Sequence, residues 1–117
     1  MLKAAIFDFD GTLCENKFPE IGEPNERVIQ QIKFLQKEGA KLILWTCRNG
    51  QILEDAVAWC LEHGLAFDAI NENLPEIQDA WGGDTRKVYA DMYLDDKNVG
   101  GLALGALEEF IQFHINQ

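Results

Sequence analysis

Four aspartates stand at the ends of two apolar runs. Asp8 and Asp10 close the run from Lys3 to Phe9, and Asp95 with Asp96 closes the run from Val88 to Leu94. Two carboxylates one residue apart on a strand point to the same face, so Asp8 and Asp10 can address one site if the strand stays extended there. Four such groups on one edge repel each other unless a divalent cation sits among them. Oxygen ligands with no His or Cys nearby favour Mg²⁺.

The elements that must position these residues can be read from apolar periodicity. Lys3 to Phe9, ending in Asp10-Gly11, reads as a buried strand followed by a turn. Val28, Ile29, Ile32 and Leu35 recur at helical spacing between Pro24 and Glu38, with Asn25 as N-cap and Gly39 as the stop. Lys41 to Thr46 reads as a second strand and Gln51 to His63 as a second helix. Ala66 to Ile70 is a weak third strand, Glu72 to Arg86 is irregular, and Val88 to Leu94 is a fourth strand. Leu107, Phe110, Ile111 and His114 mark a terminal helix.

Strands alternating with helices predict an α/β, Rossmann-like three-layer sandwich with a central parallel sheet. In such sheets ligands bind beyond the carboxyl ends of the strands. That is where Asp8, Asp10, Thr46, Asp95 and Asp96 fall.

The chain has 117 residues and is expected to form a single domain, 1–117, with no internal repeat or linker. Its 10 Lys and Arg against 20 Asp and Glu give a net charge of −10, which argues against nucleic acid or an anionic membrane as partner. A phosphorylated substrate would meet the same repulsion, so a phosphate site here needs local positive charge from a cation, a Lys or an Arg. The 3 cysteines, Cys14, Cys47 and Cys60, form neither a disulfide framework nor a C-x-x-C pair. A reducing, cytoplasmic location is expected, with no signal peptide or membrane span.

Phe7-Asp8-Phe9-Asp10-Gly11-Thr12-Leu13 resembles the first motif of the haloacid dehalogenase (HAD) superfamily of phosphohydrolases. Thr46 after Leu42 to Trp45 is similar to the second motif, Lys87 to the third, and Tyr93-Leu94-Asp95-Asp96 to the double-aspartate form of the fourth. The likeness spans Ile6 to Asp96 and rests on four motifs in order. It implies that Asp8 attacks phosphorus to form an aspartyl-phosphate, while Asp10 protonates the leaving oxygen and then activates water. It also implies that Mg²⁺ is held by Asp8, the Asp10 carbonyl and Asp96, with Asp95 behind or beside them. Thr46 and Lys87 would bind the transferring phosphoryl group, and Arg48 could grip a second phosphate or the leaving group.

The gaps between motifs leave no room for a large cap domain. An open site implies either a large substrate or a neighbouring subunit of a homo-oligomer closing over a small one, and the acidic charge favours a phosphorylated small molecule over a polymer. The segment 71–86, with Pro75, Trp81, Gly82 and Gly83, is expected to act as a partial lid. No further acid follows the fourth motif between Lys97 and Gly101, a departure from the commoner pattern.

Simpler readings compete for each residue taken alone: a polar strand end for Asp8 and Asp10, a β-former for Thr46, a solvated lysine for Lys87, an N-cap for Asp95-Asp96 and a rim residue for Arg48. Cys14 and Cys47 lack an Arg six positions on, which excludes the cysteine-phosphatase arrangement, and His63 and His114 have no ligand spacing. Two rival functions remain, a receiver-type phosphoacceptor domain and a phosphate-binding domain without turnover. Receivers place their Lys after the acidic residues, whereas here Asp95-Asp96 follow Lys87. Transfer to an acceptor other than water is indistinguishable from hydrolysis at this level.

Overall fold

The computed structural model describes residues 2–116. Its elements run β1 (Ala4–Phe7), β2 (Cys14–Lys17), β3 (Glu20–Pro24), α1 (Glu26–Lys37), β4 (Lys41–Leu44), α2 (Gly50–Glu62), β5 (Ala69–Ile70), α3 (Pro75–Trp81), β6 (Met92–Leu94) and α4 (Leu104–Ile115). Four strands make one parallel sheet in the order β5-β4-β1-β6, with Ile6 opposite Ile43 on one side and Tyr93 on the other. This is the α/β, three-layer arrangement expected from the sequence, and the described residues form no large cap.

Alternation along each strand sorts the core into two layers. Ala5 and Phe7 of β1, Leu42 and Leu44 of β4, and Met92 and Leu94 of β6 face α1, α2 and α4, meeting Val28, Ile32, Cys60 and Ile111. Ala4, Ile6 and Ile43 face the opposite way and are covered by Leu74, Val88 and Ala90, with Ile77 of α3 packed against them. The second cover is thin, one short helix and a loop. α1 is capped by Asn25, whose side chain accepts from Val28 N–H (3.4 Å), and it ends at Gly39 with φ +91°.

Besides the shortening of the third strand to Ala69–Ile70, three features depart from the sequence reading. First, β2 and β3 form an antiparallel hairpin directly after the first turn. Its residues 15–20 are all exposed, so no alternation of apolar and polar residues announced it. Second, the segment read as irregular contains α3, opened by Pro75 at its first turn and closed by Gly82 in the left-handed region (φ +74°). Third, the fourth strand shrinks to Met92–Leu94, because 88–90 is held by side chains instead of a neighbouring strand. Tyr89 N–H donates to Asn73 Oδ1 (2.8 Å), while the Tyr93 hydroxyl donates to Val88 O (2.7 Å) and accepts from Ala90 N–H (3.2 Å).

The sheet order defines where a ligand should sit. From β1 the chain passes to β4 and β5 on one side, then crosses back to β6 on the other, so the carboxyl end of β1 is the topological switch point.

Candidate active site

β1 stops at Phe7, and Asp8 is held at its end by a bond from its own N–H to Leu94 O of β6 (3.0 Å). The chain then turns back: Thr12 N–H and Leu13 N–H both donate to Phe9 O (3.1 and 2.9 Å). This turn carries the fully buried Thr12 under the carboxylates. Thr12 Oγ1 donates to Asp8 Oδ2 (3.1 Å) and accepts from Asp96 N–H (3.1 Å), joining the ends of β1 and β6 through one hydroxyl. Gly11 has φ +86°, and a Cβ there would meet the Asp96 carboxylate, 2.7 Å from its Cγ. Only glycine fits both the backbone and the space.

Asp8, Asp95 and Asp96 present carboxylate oxygens within 4.8 Å of one another. Burial raises the Asp8 pKa from 3.8 to about 7, the Asp95 charge adds to the rise, and the Thr12 hydrogen bond partly opposes it. Asp96 Oδ1 is buried and has no hydrogen-bond partner among the described residues. An orphaned buried carboxylate oxygen facing two more carboxylates is a donor set that fits a hard divalent cation.

Asp10 is not part of this cluster. The chain leaves β1 after Phe7, and the Asp10 carboxylate pairs with Arg48: Nε to Oδ2 and Nη2 to Oδ1, both 2.8 Å. The condition on which Asp8 and Asp10 would share a strand face, extended chain through Asp10, is not met, since β1 ends at Phe7. Arg48 in turn is 1% exposed, which corrects the rim position and leaves its fork occupied, unable to grip a second phosphate while so held.

A cavity of about 290 Å³ opens beside the carboxylates, lined by Asp8, Asp95, Trp45, Tyr93, Lys87 and Asn98 among others. Lys87 reaches it from the long connection before β6, with Nζ 5.8 Å from the Tyr93 ring centre. Thr46 stands at the end of β4, its N–H bonded to Asn71 Oδ1 (2.7 Å) and its hydroxyl accepting from Arg48 N–H (3.1 Å). A larger cavity, about 500 Å³, lies at the opposite edge near Lys41, Leu74 and Ile77. Its Asp91 carboxylate already accepts from the N–H groups of Lys3 and Ala4 (both 3.0 Å), so the chemistry points to the smaller one.

Two residues that organise the site carried no functional reading in the sequence. Asn73, fully buried, bonds Asp84 (Nδ2 to Oδ1, 2.7 Å), Thr85 and the Tyr89 N–H, and so fixes the loop that delivers Lys87. Asn71 adopts φ +57° and positions the Thr46 backbone. An isolated Asn in a loop gives no periodic signal; its left-handed conformation and turn chemistry are the one hint.

No protein-family model matches the chain, and no curated protein does. A solved structure, that of a conserved protein from Bacteroides thetaiotaomicron, is similar to it, with a TM-score of 0.85 and 39% identity covering 97% of this chain and 93% of that one.

Proposed function

We propose that this chain, which belongs to the same family as the conserved Bacteroides thetaiotaomicron protein, is a magnesium-dependent phosphomonoester hydrolase of the HAD superfamily. The observation that carries the reading is the meeting of Asp8, Asp95 and Asp96 within 4.8 Å at the switch point, with Asp96 Oδ1 unpartnered and Lys87 facing the same cavity. Two carboxylates and a lysine lining one opening, with the third carboxylate beside them and one of its oxygens buried, suit a phosphoryl group bound between a cation and an ammonium.

In this mechanism Asp8 attacks phosphorus, forming an aspartyl-phosphate, a mixed carboxylic–phosphoric anhydride, as the bond to the leaving oxygen breaks. Through an oxygen lone pair that the Arg48 fork leaves free, Asp10 gives that oxygen its proton, then takes a proton from the water that attacks the aspartyl-phosphate, which returns Asp8 and releases phosphate. Thr46 donates its hydroxyl to a phosphoryl oxygen, and Lys87 offsets the charge of the transferring group. Asp8, Asp96 and the Asp10 carbonyl would hold Mg²⁺, with Asp95 orienting them. Bound there, the cation supplies positive charge that favours ionised Asp8 and balances the phosphoryl oxygens.

The substrate class is a small phosphomonoester. A net charge of −10 opposes polyanions, and the 290 Å³ cavity accommodates one phosphoryl group with a compact leaving group. The free thiols Cys14, Cys47 and Cys60 fit a reducing compartment, the cytoplasm. Among the described residues no helix is long and apolar enough to cross a membrane.

A second reading, phosphate binding without turnover, draws on the pairing of both Asp10 oxygens with Arg48. The deciding experiment is Mg²⁺-dependent phosphate release from a panel of esters by the wild type and Asp8→Asn. Turnover that disappears with EDTA and in the variant supports hydrolysis. A folded, Mg²⁺-binding wild type that turns over none of them leaves the binding reading in its place.

A further inference from the structure

Arg48 sits where four segments of chain meet. All five of its guanidinium N–H groups have acceptors: Nε and Nη2 on the two Asp10 oxygens, Nη2 also on Glu20 O (3.0 Å), and Nη1 on Pro19 O (3.1 Å) and Ile52 O (3.2 Å). Its guanidinium carbon lies 5.1 Å from the Phe9 ring centre and 5.3 Å from that of Phe18. The turn of the β2–β3 hairpin, the end of β1, the loop after β4 and the first turn of α2 are thus joined through one side chain.

A buried ion pair is a poor source of net stability, because removing both charges from water costs about what their attraction returns. What a bidentate pair does supply is geometry, since two parallel N–H···O bonds fix the carboxylate plane. We infer that Arg48 is a positioning residue that fixes the Asp10 carboxyl so that the oxygen lone pairs outside the fork are aimed for proton transfer, and that the β2–β3 hairpin acts on the reaction through it. The inference rests on the reading of Asp10 as proton donor and acceptor. The hairpin touches Arg48 by the main-chain carbonyls of Pro19 and Glu20 and by the Phe18 ring, so its placement is transmitted chiefly through the backbone.

The test pairs a chemical readout with a structural one. Arg48→Lys keeps the charge and loses the fork. Gly22→Ala disturbs the hairpin from a distance, since a Cβ there would lie 2.7 Å from Glu15 Cβ. Leaving groups of low basicity need little proton donation, so kcat/KM is compared for an alkyl phosphate and for 2,4-dinitrophenyl phosphate. Both variants should lose at least about ten-fold more on the alkyl ester than on the activated one, as Asp10→Asn does. Arg48→Lys added to Asp10→Asn should cause no further loss on the alkyl ester.

Independently of turnover, amide hydrogen exchange across residues 15–22 should rise by about ten-fold in Arg48→Lys while β1 and β4 stay protected. Equal losses on both esters, or losses that multiply in the double variant, would overturn the positioning role. Should the wild type hydrolyse no ester, the phosphohydrolase reading fails on its own. An exchange rate in 15–22 unchanged by Arg48→Lys would then reject the clamp as well. If Arg48→Lys does not fold, Gly22→Ala decides by the same ester comparison.

Discussion

The Thr12 hydroxyl lies 3.1 Å from Asp8 Oδ2 and 3.1 Å from the Asp96 amide nitrogen, so one buried side chain ties the proposed nucleophile to the acidic end of β6. Thr12→Val keeps the shape and removes both bonds, leaving the Asp96 N–H without its acceptor. The expected cost is about 1–3 kcal/mol in urea unfolding, with Thr12→Ser restoring most of it. Equal stability of the Val and Ser variants would show that the hydroxyl does not carry this link.

Gly11 should tolerate no side chain. At φ +86° an alanine costs about 1–3 kcal/mol from the backbone alone, and its Cβ would also displace the Asp96 carboxylate. Gly11→Ala is therefore expected to unfold at lower urea and to bind Mg²⁺ more weakly in a calorimetric titration. Unchanged Mg²⁺ affinity would mean that Asp96 does not contribute to the cation site.

The raised pKa of Asp8, about 7 against an ordinary 3.8, makes it a source of pH-dependent instability when no cation is bound. Below the ordinary value both folded and unfolded chains hold the proton. Between the two values the unfolded chain has released it and the folded one has not, so stability falls as pH rises from about 4 to about 7. In EDTA the urea midpoint should drop across this window, and Asp8→Asn should remove its share of the drop. Saturating Mg²⁺ should flatten the slope in the wild type, since a cation favours the ionised form. A midpoint that rises with pH in EDTA and is indifferent to Asp8→Asn would contradict this environment for Asp8.

Thiol chemistry should distinguish the three cysteines. Cys47 is exposed beside Thr46, whereas Cys14 and Cys60 are buried and burial pushes the Cys60 thiol up to about 12. Iodoacetamide at about pH 8 should label one site per folded chain, at Cys47, and all three only in denaturant. Labelling of Cys60 in the native protein would indicate that α2 separates readily from the sheet.

Much of the architecture follows from the sequence because it is set by local pattern. The apolar runs ending at Asp8, Thr46 and Asp95 specify buried strands, the 3.6-residue period of Val28 to Leu35 specifies α1, and their alternation specifies a parallel sheet with its polar residues on one edge. Asn25 and Gly39 bound α1 by chemistry that acts within a few residues.

The tertiary structure decided what depends on partners distant in the chain. Exposed residues 15–20 carry no alternation, so the hairpin is defined by its pairing and by Arg48, more than twenty residues away. The direction of Asp10 was set by where β1 ceases to be extended and by a cation buried 38 positions on. Asn73, Asn71 and the bonds made by Thr12 became legible only in space, because a single polar side chain has no period and its role lies in the groups it happens to meet.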